Sequence, residues 1–225
     1  MSDTTPAKDP LLDALWEKGL ILIGERVQRE YALRTPIFID LRHKLYDDLE
    51  LLEQLAGALH RELCRILDVS FSPFVPPQQV IGIPDTATPI ALSLALIARK
   101  TVLPVSYGQL RKKPATYPGG ESGTSSYMGT RDKTREITLI DDVMASGRTK
   151  LRAIDELKKD GLEVARVLVV VDREQGGDRA LEERGCPVHS LYKISELIEY
   201  YRATRRIDDT AAAAALEHVR AKQFP

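Results

Sequence analysis

The chain has 225 residues and an almost even charge balance, with 32 Lys and Arg residues against 33 Asp and Glu residues. That length suits one domain with appendages, and the net charge of −1 excludes a bulk attraction to nucleic acid or to an anionic membrane surface. No apolar run approaches the length of a membrane span, and the first ten residues lack a secretory signal pattern. With only two cysteines, Cys64 and Cys186, the composition favours a protein of the reducing cytoplasm.

The first third of the chain predicts short strands between two amphipathic helices. Leu51, Leu55 and Leu59 recur with the spacing of one helical face. An earlier apolar face over residues 9–18 indicates another helix, which ends at Gly19. We expect residues 1–67 to form a small N-terminal hood on the rest of the protein. The expected elements are a helix over 9–18, strands over 20–23, 29–33 and 37–41, and a helix over 47–67.

The remainder of the chain alternates strands with helices. The apolar run over 167–171 is typical of a strand covered on both faces, and the alternation implies right-handed crossovers. The sequence therefore predicts an α/β fold, a mostly parallel sheet flanked by helices over 78–205, with a C-terminal helical segment over 206–225. The expected elements are strands over 80–83, 102–105, 136–140 and 164–171, helices over 89–99 and 149–159, a closing strand–helix unit over 181–201, and a helix over 211–221.

Residues 107–132 interrupt this alternation. They begin with the basic residues Arg111, Lys112 and Lys113, and several glycines follow. A connection of this length without secondary structure is uncommon in a compact domain and is usually functional. We interpret it as a flap whose basic start closes over an anionic substrate; the alternative is a solvated run of charge.

Two adjacent carboxylates, Asp141 and Asp142, directly follow an apolar strand. Parallel strands deliver their last side chains to the sheet edge where ligands of open α/β folds bind, so this pair can accept hydrogen bonds from neighbouring ribose hydroxyls. The small residues 145–147 then let backbone amides approach an anion at the start of the next helix. The alternative is helix capping, but that helix is expected to begin only near Arg148 or Thr149.

Two further strand ends are expected at the same edge of the sheet. One carries Asp85 and Thr86 in a turn, which is a weak signal by itself. The other carries Arg173, whose planar guanidinium can bind an anionic heterocycle through two parallel hydrogen bonds. The alternative for Arg173 is a surface ion pair with Glu174.

These segments resemble the type I phosphoribosyltransferases, whose signature joins a hydrophobic strand, two acidic residues and a small loop. The loop departs from the family at Ala145, where a threonine is common. Residues 172–177 and 33–42 resemble the segments that orotate phosphoribosyltransferases place beside the base, and the whole resemblance extends from about residue 12 to residue 201. The signature residues matched here are Asp141, Asp142, Ser146, Gly147 and Thr149.

The resemblance implies transfer of a phosphoribosyl group from phosphoribosyl pyrophosphate to orotate, which gives orotidine 5'-monophosphate and pyrophosphate in pyrimidine biosynthesis. It also implies Mg²⁺ and a homodimer in which the flap reaches across to the other subunit. The second lysine and the histidine of the family's flap align with Ala115 and Tyr117. Either Lys113 acts in place of that lysine through a shift of register, or the protein is slow or uses a different base.

The resemblance also implies roles for individual residues. Asp141 and Asp142 would bind the ribose hydroxyls and, through substrate or water, Mg²⁺. Arg111, Lys112 and Lys113 would stabilise the departing pyrophosphate. The other implied contacts are those of the 5-phosphate with Ala145, Ser146, Gly147, Arg148 and Thr149, of the pyrophosphate with Asp85 and Thr86, and of the base with Arg173, Arg34 and Phe38.

Two alternatives stay open at this point. The acceptor could be a nucleobase other than orotate, or the chain could be a regulator that binds phosphoribosyl pyrophosphate without catalysis. No long basic segment precedes Leu20, which argues against a DNA-binding regulator. The ribose interpretation itself requires that neither Asp141 nor Asp142 turn inward to neutralise a cation.

Overall fold

The structure is a computed structural model that describes residues 7–31, 33, 35–71, 74–115 and 125–224. Its N-terminal part confirms helices close to the expected positions at both ends. The Asp9 side chain accepts hydrogen bonds from first-turn amides of the helix that begins at Pro10. The Asp48 side chain accepts one from the first turn of the long helix that begins at Leu49. The elements are α1 (Pro10–Glu17), β1 (Ile21–Ile23), α2 (Glu25–Tyr31), β2 (Ile37–Ile39) and α3 (Leu49–Ile66).

Beyond α3, strands and helices alternate as expected. A six-stranded sheet forms with the strand order β5-β4-β3-β6-β7-β8, and all neighbours are parallel except β4 and β5. This confirms the predicted α/β fold with a mostly parallel sheet. The elements are β3 (Gln78–Gly82), α4 (Ala87–Ala98), β4 (Val105–Ala115), β5 (Ser125–Met128), β6 (Glu136–Met144), α5 (Arg148–Lys159), β7 (Val164–Asp172), α6 (Gly177–Glu182), β8 (Val188–Lys193), α7 (Ile194–Ala203) and α8 (Asp209–Ala221).

Helices cover both faces of this sheet, which explains the unbroken apolar character of its central strands. Because side chains alternate along a strand, Leu168 and Val170 of β7 face one core with α3, α4, α7 and α8. Val167 and Val169 face the second core with α5 and α6. All four valine and leucine side chains have no exposed surface.

The N-terminal elements form a two-stranded antiparallel sheet, β1 with β2, that packs on the first of these cores. Helix α3 differs from the rest of the expected hood because it packs along α4 and contacts β7 and β8. It buries its leucine face there and leaves its charged face exposed. No helix in the described ranges is long and apolar enough to cross a membrane.

Two strand predictions were wrong. Residues 29–33 were expected to form a strand, but residues up to Tyr31 belong to α2, where Arg26 Nε lies 2.6 Å from Glu30 Oε1 one helical turn away. Residues 102–105 were also expected to form a strand, but β4 begins only at Val105. Pro104 stands directly before it and cannot donate to the ladder with β3.

The flap prediction over 107–132 also needs correction. Much of this region is regular strand: β4 pairs in parallel with β3 and then antiparallel with β5, where Leu110 lies opposite Tyr127. The buried Leu110 and Tyr127 side chains belong to the second core, whereas the run of basic residues suggested a loop. Residues 116–124 lie outside the described ranges, so the central part of the expected flap stays a prediction.

Candidate active site

A cavity of about 410 Å³ opens at the carboxyl ends of β3, β6 and β7. Strands β3 and β6 are neighbours, but the chain leaves β3 toward β4 on one side and leaves β6 toward β7 on the other. Such a switch point is where ligands bind in open α/β sheets. The cavity brings together most of the residues expected from the sequence, namely Phe38, Thr86, Asp141, Asp142, Ala145, Ser146, Gly147, Arg148, Thr149 and Arg173.

Asp141, at the floor of the cavity, forms a buried ion pair. Its Oδ2 lies 2.6 Å from Lys150 Nζ, and both side chains are more than nine-tenths buried. Lys150 also donates to the carbonyl of Val143, and Asp141 Oδ1 accepts from the amide of Asp142. The expectation that neither aspartate neutralises a cation is therefore wrong for Asp141, whose charge is paired with a lysine in the first turn of α5. The ribose interpretation stays a prediction for Asp142 alone.

Asp142 has a different environment from its neighbour. Burial and then the adjacent charge of Asp141 raise the pKa of Asp142 to about 7, although the amide of Val143 donates to it at 2.8 Å. The described residues contain no group of three or more possible metal ligands. A Mg²⁺ ion fits here all the same, because it can bind one or two carboxylates and take its other ligands from substrate phosphates and water.

The loop after these carboxylates has a backbone geometry that suits an anion. Gly147 adopts a left-handed conformation with φ of 73° and is the N-cap of α5, so no side chain accepts hydrogen bonds from the first-turn amides there. Those amides and the helix dipole favour a negative group at this point. Ser146 and Thr149 line the same part of the cavity. The helix begins at Arg148, as expected from the sequence.

Arg173 follows β7 directly and lines the cavity. Its amide donates to the carbonyl of Met144 at 2.9 Å, which ties the end of β7 to the end of β6. Burial lowers the pKa of Arg173, yet within the described part of the chain its half-buried guanidinium has no hydrogen-bond or ion-pair partner. A cation that is desolvated without a partner favours an anionic ligand.

The N-terminal strand β2 supplies the roof of the cavity. Phe38 is half-buried, its ring centroid lies 4.1 Å from that of Tyr31, and it lines the cavity. Three neighbouring residues that the sequence analysis did not select, Asp40, Arg42 and His43, also line it. Asp40 Oδ2 lies 2.8 Å from His43 Nδ1. Arg34 lies outside the described residues.

A second cavity of about 450 Å³ shares Arg42, His43 and Thr86 with the first. Lys112 of β4 reaches into it and forms an ion pair with Asp85, while Arg111 turns the other way and donates to Met128 Sδ at 2.7 Å. Successive side chains of a strand point to opposite faces, so Arg111 and Lys112 leave β4 on different sides. Arg111 does not line either cavity of this chain, so its contact with the pyrophosphate stays a prediction. The side chain of Lys113 lies outside the described part.

The most important residue missed from the sequence is Lys150. A lysine in the first turn of an amphipathic helix is normally expected on the solvated face, and no pattern marks its contact with Asp141. Asp40 could have been predicted, because it belongs to residues 33–42, which resemble the family's substrate segment. Of that segment, only Arg34 and Phe38 were expected in the site.

Replacing Lys150 by methionine should destabilise the protein by roughly 3–5 kcal/mol, because the buried carboxylate of Asp141 loses its cation. Urea unfolding at neutral pH measures the loss. The double variant Lys150→Met with Asp141→Asn is the control and should recover much of the lost stability. Equal stability of the single variant and the unaltered protein would show that the ion pair is absent.

Replacing Asp142 by asparagine should raise the melting temperature at about pH 8 by a few degrees. The folded protein keeps a proton on Asp142 up to about pH 7, whereas the unfolded chain loses it near the ordinary pKa of 3.8. The free energy of unfolding therefore falls as pH rises between these values, and the asparagine variant escapes that fall. The gain should vanish near pH 4, and a gain that is equal at both pH values would contradict the raised pKa.

This chain is similar to known proteins in both sequence and fold. A family model for the phosphoribosyl transferase domain matches residues 51–186. Orotate phosphoribosyltransferase from Thermococcus gammatolerans is 31% identical over 193 residues, which are 86% of this chain and 93% of that protein.

Solved structures share the fold. UMP synthase from Leishmania donovani has a TM-score of 0.73 at 22% identity over 96% of this chain, which spans 43% of that longer chain. Orotate phosphoribosyltransferase from Mycobacterium tuberculosis H37Rv, in complex with 5-phospho-alpha-D-ribosyl 1-diphosphate, has a TM-score of 0.58 at 22% identity, covering 84% of this chain and 99% of its own. With a domain match over more than half of its length, this chain belongs to the phosphoribosyltransferase family and is similar to its orotate phosphoribosyltransferases.

Proposed function

We propose that this protein transfers the phosphoribosyl group of phosphoribosyl pyrophosphate to orotate, giving orotidine 5'-monophosphate and pyrophosphate. The observation that carries the proposal is one cavity lined by a glycine turn at a helix start, a carboxylate and an arginine that has no side-chain partner among the described residues. The turn suits the 5-phosphate, the carboxylate suits the ribose, and the arginine suits an anionic base. The likeness to orotate phosphoribosyltransferases over most of the chain supports orotate as that base.

The sugar phosphate is bound at the start of α5. Its phosphate accepts hydrogen bonds from the amides of residues 146–149 and from the hydroxyls of Ser146 and Thr149, while the helix dipole favours its charge. Asp142, when ionised, accepts from the ribose hydroxyls. Asp141 contributes through position, since its ion pair with Lys150 fixes the end of β6 beneath the sugar.

The bond between C1 of the ribose and pyrophosphate then breaks, and the pyrophosphate leaves with the electron pair. Positive charge develops on the ribose ring, as in other glycosyl transfers, and the carboxylate of Asp142 stabilises it. Mg²⁺ carried by the substrate supplies charge neutralisation at the pyrophosphate. Lys112 and Thr86 line the adjoining cavity and bind the leaving group, with Lys112 exchanging its ion pair with Asp85 for one with a phosphate.

The base is bound where Arg173 and Phe38 line the cavity. The guanidinium of Arg173 forms two parallel hydrogen bonds with the carboxylate side of orotate, and Phe38 offers a ring surface for its plane. A ring nitrogen of orotate attacks C1, and its proton passes to solvent water as the new bond forms. Arg34 and Lys113 stay predicted contributors to the base and pyrophosphate sites. A homodimer in the cytoplasm completes the proposal, supported by the family resemblance.

The test is to mix the purified protein with Mg²⁺, phosphoribosyl pyrophosphate and orotate and to follow the loss of orotate absorbance. We expect turnover that depends on all three components. A parallel panel of uracil, adenine, guanine and hypoxanthine separates orotate transfer from transfer to another base. Binding of phosphoribosyl pyrophosphate without turnover of any base would instead support a regulator and contradict the proposed activity.

Replacing Arg173 by glutamine should raise the KM for orotate roughly 10- to 100-fold, which corresponds to the loss of hydrogen bonds to a charged group worth about 1.5–3 kcal/mol. Lysine at this position should recover only part of the loss, because it cannot form the bidentate pair. Steady-state kinetics measure both variants. The exposed Arg179 of α6, replaced by glutamine, is the matched control and should leave the KM unchanged.

A further inference from the structure

Residues 174–177 form the turn that follows Arg173. This turn lies directly against residues 145–147, which form the phosphate-binding loop of the proposed function. An atom added at the Cβ position of Gly177 would lie 2.6 Å from the amide nitrogen of Gly147 and 2.7 Å from the carbonyl carbon of Ser146, and it would be closer still to the carbonyl oxygen of Ala145. In return, a Cβ on Gly147 would lie 2.7 Å from the carbonyl oxygen of Gly177. The two backbones are therefore in contact with no side chain between them.

The same turn also forms hydrogen bonds with Gln223 and Phe224, which follow α8. The amide of Phe224 donates to the carbonyl of Gln175 at 2.8 Å, and Gln223 Nε2 donates to the carbonyl of Glu174 at 2.9 Å. Gly176, with φ of 88°, lets the tail come close, since a Cβ there would lie 2.8 Å from the carbonyl oxygen of Phe224. The turn is thus fixed between the phosphate-binding loop and the C-terminal tail.

A third contact fixes the turn from the side. Glu174 has a positive φ of 52°, which is uncommon for a residue with a side chain, and its carboxylate accepts the amide of Ser195 at 2.8 Å. The amide of Arg173 is bonded to β6 at the other end of the turn. These contacts leave the segment between Arg173 and Gly177 little freedom to move by itself.

We propose that Gly177 is a positioning residue that sets the separation between the phosphate-binding loop and Arg173, and that Gln223 and Phe224 hold it in place. This inference rests on the proposed function, in which those two elements bind opposite ends of the reacting pair. Displacements of about 1 Å can cost two orders of magnitude in rate when two reactants must meet. The absence of a side chain at Gly177 thereby becomes a requirement of the reaction geometry.

The decisive variant is Gly177→Ala. Two constants are measured for it: the Kd for phosphoribosyl pyrophosphate in the presence of Mg²⁺, and the KM for orotate. Gly177 does not need a positive φ, so the added methyl group acts only by pushing the loop away. We expect the Kd and the KM each to rise at least tenfold. Gly185→Ala is the matched control: Gly185 has φ of 72° but no atom within 4 Å of its Cβ position, so strain lowers the melting temperature while the Kd stays unchanged.

A second pair of variants keeps the inference testable if Gly177→Ala fails to fold. Gln223→Glu has almost the same shape but cannot donate to Glu174, whereas Gln223→Lys retains a donor. We expect the glutamate variant to raise the KM for orotate several-fold at an unchanged melting temperature, and the lysine variant to stay close to the unaltered protein.

Each outcome decides one question. The positioning role is overturned if Gly177→Ala and Gly185→Ala bind phosphoribosyl pyrophosphate equally well, or, where only the tail variants fold, if Gln223→Glu and Gln223→Lys have the same KM. If the unaltered protein does not bind phosphoribosyl pyrophosphate at all, it is the proposed function that fails. Binding by the unaltered protein together with equal binding by both glycine variants leaves the function standing and removes only this inference.

Discussion

The buried ion pair between Asp141 and Lys150 is the interaction on which the geometry of the site depends. It joins the end of β6 to the first turn of α5, and the second bond of Lys150, to Val143, closes the intervening loop into a fixed bend. The loop that can bind a phosphate is therefore held at both of its ends by one lysine. Because a buried pair is stable only when both partners are present, the same residues that shape the site also make it sensitive to substitution.

This pairing also divides the work of the two aspartates. Asp141 is already neutralised, whereas Asp142 lies beside it with a raised pKa and without a cation of its own among the described residues. Adjacent carboxylates that look equivalent in the sequence thus have different environments. Both line the cavity, but among the described residues only Asp141 is paired with a lysine of α5. Such separation of two neighbouring acids by their surroundings is common where a site must hold a developing positive charge.

Much of the fold and the centre of the site could be predicted from local patterns. The apolar strand, the two carboxylates and the small loop before α5 occupy consecutive positions, so their order in the chain already determines their order in space. The contact between Lys150 and Asp141 could not be predicted, since it depends on how a helix turns over a strand end. The same holds for Gly177, whose contact with Gly147 joins segments that are thirty residues apart in sequence.

The basic run after Gly108 shows a different limit of sequence patterns. Arg111 and Lys112 resemble a loop by composition, yet both belong to β4, and the alternation of a strand sends only Lys112 toward the cavity. The burial of Leu110 against Tyr127 outweighs the polar character of its neighbours. Composition alone cannot reveal this, because the strand that pairs with this part of β4 is β5, which begins only at Ser125.

The state of Asp142 has a consequence for how the protein responds to its surroundings. With a pKa of about 7, this carboxyl group exchanges a proton with the solvent in the range where cells regulate their acidity. A ligand that needs the ionised form must displace that proton, so its uptake acidifies the medium and competes with hydrogen ions. Occupancy of the cavity by such a ligand would then depend on pH as well as on ligand concentration.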